Sequence, residues 1–114
     1  GTGNGGTNRV SVSGVGVWVF DSVNNAVTTG TWQHIAFVMP STGSSAGTMY
    51  VNGVSVGATA TLPTYAIANN ADARRIGQGS TGGQHFAGGI DDVRIYNRIL
   101  SGSEALQLFN QGPQ

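Results

Sequence analysis

The chain has 114 residues, five arginines against five acidic groups, no lysine and no cysteine, and charged side chains make up only 9% of it. Such a length holds one core; the missing cysteines exclude a disulfide framework, a thiolate metal site and a thiol nucleophile. Five dispersed arginines (Arg9, Arg74, Arg75, Arg94, Arg98) cannot form the basic stripe that nucleic acid requires. No apolar run approaches the roughly 20 residues of a bilayer span. The N-terminus lacks a basic-then-apolar targeting pattern, so a signal, if one exists, is expected upstream of Gly1. Solubility rests on Ser, Thr, Asn, Gln and Gly, a composition associated with secreted and cell-surface bacterial modules.

Residues 1–8 contain nothing to bury and read as a flexible lead-in, leaving residues 9–114 as the domain. Between Arg9 and Phe20 the alternation changes phase: Val10 and Val12 share one parity, Val15, Val17 and Val19 the other. Either a glycine bulge or a tight turn at Ser13-Gly14 accounts for this, and the hairpin is favoured. A polar connection follows, with Asn24-Asn25 as a turn and a short pairing expected through Ala26 to Thr28. Trp32 to Met39 becomes apolar on both parities, the pattern of a central strand covered from two sides, and Pro40 ends it. Ser41 to Gly47 is a surface loop.

Asn52-Gly53 between Met49-Tyr50-Val51 and Val54-Ser55-Val56 predicts a type I′ hairpin, whose two central residues need positive φ. A meander from Ala58 to Ala73, a strand beginning at Arg75-Ile76-Gly77 and a glycine-rich loop from Ser80 to His85 come next. The alternation of the closing segment, with Val93 and Ile95 on one face and Ile90, Arg94 and Tyr96 on the other, predicts a last strand. Ser101 then opens a short helix through a capping box with Glu104, Leu100 and Ala105 form its hydrophobic staple, and Gly112-Pro113 stop it. Six or seven short strands with turns every 8 to 12 residues read as an all-β sandwich or barrel, with one helix at an end or edge.

Four segments taken together, Thr31-Trp32-Gln33-His34-Ile35-Ala36, Met49 to Gly53, Arg75-Ile76-Gly77 and Phe86 to Ser101, resemble in order and spacing the laminin G-like domains of the concanavalin A-like lectin and glucanase superfamily. The resemblance covers roughly residues 28–109 and implies an antiparallel jelly-roll β-sandwich with an extracellular recognition role, toward glycan or protein. Complete members begin with further strands. Their absence would leave unpaired edges and an uncovered apolar face, so the resemblance implies completion by another chain, homo-oligomerisation or a compact variant, of which association is expected.

Asp91 and Asp92 are neighbours on a predicted strand and so face opposite ways. Structurally, one is expected to pair with Arg94 or Arg98 while the other caps backbone; functionally, they are candidate ligands of the structural calcium ion that the resemblance implies. Asp21, Asp72 and Glu104 are the only other acids, too few for a full oxygen shell without carbonyls or further strands. No pair of carboxylates at alternate strand positions suits a retaining glycosidase, and Glu104 is explained by its capping box, so a non-catalytic module is expected. His34, on a strand, is given a hydrogen-bonded structural role. A shallow glycan site at one rim is expected from Tyr65, Asn69, Asn70, Asp72 and Arg74 together with Gln84 and His85, which offer an aromatic face and planar polar groups. The alternative is an architectural or adhesion module that assembles with protein and binds no glycan.

Overall fold

The computed structural model describes residues 8–14, 18–23, 25–39, 42–43, 47–56, 58–60, 65–66, 75–78 and 85–112. In chain order the elements are β1 (Ser11–Gly14), β2 (Trp18–Ser22), β3 (Ile35–Val38), β4 (Thr42–Gly43), β5 (Thr48–Val51), β6 (Val54–Val56), β7 (Ala58–Ala60), β8 (Tyr65–Ala66) and α1 (Gly102–Gln111). All strand pairs are antiparallel, in three small sheets ordered β1-β2-β7, β3-β5-β6 and β4-β8. The expected all-β class with one short C-terminal helix is what the chain adopts.

The phase change near Gly14 is a hairpin, in which β1 pairs with β2 from Ser11 opposite Asp21 to Gly14 opposite Trp18. Its connection, residues 15–17, lies beyond the Ser13-Gly14 step where the turn was expected. Ser22 extends this ladder. Its N–H donates to the Val10 carbonyl (2.9 Å), while its buried hydroxyl accepts from the Val10 N–H (3.0 Å) and donates to the Val23 carbonyl (3.1 Å). The hydroxyl thus both accepts from and donates to the backbone, and its hydrogen-bonding capacity is met by the protein.

The second sheet turns on Asn52-Gly53. Both residues have positive φ (51° and 77°), as the type I′ turn requires, and Val51 sits opposite Val54. Asn52 also acts as one more rung for the neighbouring strand: its Oδ1 accepts from the His34 N–H (2.9 Å) and its N–H donates to the His34 carbonyl (2.8 Å). Met49 and Val51 are buried, and with Leu100 and Ala105 they are the buried apolar side chains among the described residues. Tyr50, of the opposite parity on β5, meets the start of α1, where a Cβ on Gly102 would lie 3.4 Å from its hydroxyl.

Helix α1 is built by local chemistry. Ser101 Oγ accepts from the Glu104 N–H and Glu104 Oε1 accepts from the Ser101 N–H, closing the capping box, while Gly112 ends the helix at φ 69° and donates to the Phe109 carbonyl. Leu100 and Ala105, the staple pair, are both buried. The helix rests on the hairpin tip at Gly53, at the end of the sheet, as expected.

Five expectations are corrected. Among the described residues β3 pairs only with β5, so it is the outer strand of its sheet rather than a central one. The loop at Ser41 to Gly47 contains β4, and residues 75–78 form a bend with a single bridge, Gln78 opposite His85, in place of a strand. Ala26 to Thr28 contributes one backbone bond, from Val27 to Asn8. The closing segment runs without turn or bend from Gly89 to Tyr96 but pairs with no strand among the described residues, and within it Asp92 takes a left-handed φ of 52°. The lead-in at residues 1–7 and much of the meander from Ala58 to Ala73 lie outside the described residues.

Candidate functional site

The row of alternate residues Asp92, Arg94 and Tyr96 lines one wall of a cavity of about 120 Å³. The opposite wall comes from His34 and β3, and Leu108 of α1 contributes to the floor. A second hollow of about 180 Å³, between the closing segment and α1, shares Tyr96, Leu100 and Leu108 with the first and adds Arg98, Glu104 and Gln107. Together they form a polar groove with Tyr96 at its middle. Each hollow is well below the roughly 300 to 1,000 Å³ of an enclosing small-molecule site, so the groove can seat an edge or end group but cannot engulf a ligand.

Two ion pairs fix its cations. Arg94 Nε and Nη2 donate to Asp92 Oδ1 and Oδ2 at 2.9 and 3.0 Å, a forked pair held on one strand face by the i, i+2 spacing. Asp92 raises the Arg94 pKa, with a hydrogen bond to Tyr96 second in importance. Arg98 donates to Glu104 Oε2 across the groove's far end. This arginine, followed by the Ser101 N–H, pulls the Glu104 carboxyl from 4.5 to about 2. His34 differs. Its backbone is fully engaged by Asn52 and its ring lies 6.3 Å from that of Phe109, but its Nδ1 is buried without a hydrogen-bond partner among the described residues. The hydrogen bonds expected for His34 are therefore made by its main chain, while its buried Nδ1 has no partner among the described residues.

Of the acidic pair, Asp92 takes the arginine and Asp91 Oδ1 accepts from the Asp92 N–H (2.8 Å), which is the structural division expected from strand parity. Asp92 commits both carboxylate oxygens to Arg94, and no three His, Cys, Asp or Glu side chains converge among the described residues.

The expected rim site is only partly visible. Tyr65 is on β8 opposite Gly43, and His85 is exposed opposite Gln78. Asn69, Asn70, Asp72, Arg74 and Gln84 lie outside the described residues. The groove at Tyr96 was missed because its walls are far apart in sequence. The alternation Asp92, Arg94, Tyr96 was the signal that could have pointed to it.

The antiparallel sheets and the capped C-terminal helix define a small all-β module. Residues 2–105 match the family model described as concanavalin A-like lectin/glucanases superfamily, in its laminin G-like branch, and the chain belongs to that family. A solved structure, that of an S-layer domain-containing protein from Clostridium thermocellum, is similar to it at 25% identity and a TM-score of 0.54, over 81% of this chain and 51% of that one. The chain thus spans about half the length of that structure. No curated protein matches it.

Proposed function

We propose that this chain is a non-catalytic extracellular recognition module that binds carbohydrate in the groove centred on Tyr96. The carrying observation is a cavity lined by His34 and β3 together with Asp92, Arg94 and Tyr96. A sugar supplies hydroxyl acceptors for a guanidinium and an apolar ring face for a half-exposed tyrosine. Family membership and an S-layer domain-containing structural neighbour support a place outside the cell, and no described helix is long and apolar enough to cross a membrane. Asp92 and Glu104, the acids lining the groove, are each neutralised by an arginine, which favours binding over acid–base chemistry.

The experiment is a glycan array followed by calorimetric titration of the hits against the parent chain and the variants Tyr96→Ala and His34→Phe. Affinity for at least one glycan, weakened about tenfold or more by each variant, is expected. Failure of every glycan, together with capture of a protein ligand, would transfer the module to the architectural and adhesion reading, which the exposed apolar surface favours.

A further inference from the structure

The odd-numbered side of the closing segment is as apolar as its even-numbered side is polar. Ile95 is 88% exposed and Val93 54% exposed, while residues 93–96 run straight and make no backbone hydrogen bond to any described residue. A straight segment with unfilled N–H and C=O groups and protruding apolar side chains is a template for another strand. We infer that residues 94–96 pair antiparallel with the same residues of a second copy of this chain, about a two-fold axis at Ile95.

Charge complementarity selects both the partner and the register. A two-fold axis normal to a sheet keeps each side chain on its own face, so a residue on the axis must oppose itself. With Arg94 on the axis, two guanidinium groups meet; with Tyr96 on the axis, Arg94 meets Arg98. Like charges directly opposite each other are destabilising. With Val93 on the axis, the pairing would have to run through Asp92, whose left-handed φ of 52° breaks the extended path. With Ile95 on the axis, the most exposed apolar side chain covers its own copy and each Arg94 faces the ring of the other chain's Tyr96, a cation–π arrangement. The segment is therefore self-complementary in one register, as an isologous interface must be. The pairing engages Arg94 and Tyr96, which also line the groove proposed for glycan, but cross-linking reads it without glycan, so its failure and that of the glycan reading are distinguishable.

The absence of native cysteine allows a direct test. Opposed residues in an antiparallel pair have Cβ atoms about 4.5 to 5.5 Å apart, near the reach of a disulfide at roughly 3.5 to 4.5 Å. Ile95→Cys is expected to cross-link under mild oxidation on the order of tenfold faster than Ile99→Cys or Val54→Cys, whose parent residues are both 64% exposed. Equal rates would overturn the pairing. Should Ile95→Cys not fold, a mixture of Val93→Cys and Asn97→Cys serves instead. These oppose each other in the inferred register, so mixed disulfide dimers are expected to outnumber both homodimers; a statistical mixture, or no dimer, would reject the register and with it the inference.

Discussion

Gly53 brings the β5–β6 hairpin tip so close to Leu106 of α1 that a Cβ there would stand 2.6 Å from Leu106 Cδ1 and 3.0 Å from its Cα. The same glycine carries a φ of 77°. One residue therefore answers two constraints, turn geometry and the seat of the helix. The Leu106 side chain can swing aside, but its backbone cannot retreat without lifting the helix from the sheet.

Gly53→Ala is expected to destabilise the domain by about 1 to 3 kcal/mol, through left-handed strain together with displacement of α1. Urea unfolding measures this. A loss within a few tenths of a kcal/mol would mean that the helix is not seated on the turn.

Ser22→Ala removes the hydroxyl that serves Val10 and Val23 and leaves the Val10 N–H without its acceptor. A buried donor left unsatisfied costs roughly 1 to 3 kcal/mol. Loss of amide-exchange protection at Val10 should accompany the drop in stability; protection equal to that of the parent would contradict the assignment.

Glu104 has a folded pKa of about 2 against an ordinary 4.5, lowered first by Arg98 and then by the Ser101 N–H. A depressed carboxyl pKa stabilises the fold above the unfolded value, and that contribution is lost as pH falls from about 4.5 toward about 2. The melting temperature should decline through this window in the parent. In Glu104→Gln, which keeps an oxygen for the Ser101 N–H, the decline should be smaller. Identical pH profiles would remove Glu104 from the acid response.

Calcium should do little. With both Asp92 oxygens on Arg94, added calcium is expected to leave the melting temperature unchanged and a chelator not to lower it. A rise of several degrees at millimolar calcium would show a site formed from other groups.

What could be read from the sequence was set by how local its cause is. Asn52-Gly53 and the Ser101–Glu104 box announce themselves because each is satisfied within a few residues. Strand membership is not local. The alternation from Asp92 to Tyr96 correctly separated polar from apolar sides, but whether such a segment joins a ladder depends on a partner that its own residues do not name. The prediction of a strand there failed for that reason. The aspartates were divided correctly, since a left-handed Asp92 still reaches Arg94 two residues on. His34 was half understood: its spacing showed a strand, while the orphaned Nδ1 emerges only when Phe109 and the closing segment are folded around it.

The Asn52-Gly53 tip bears on how this module can be engineered. Hairpin tips are ordinarily the place to graft an epitope, a tag or a lengthened loop. Here the asparagine is already spent as a rung for His34 and the glycine as a bearing surface for Leu106, so an insertion between them would detach a strand and a helix at once. Grafted sequence belongs elsewhere on the domain.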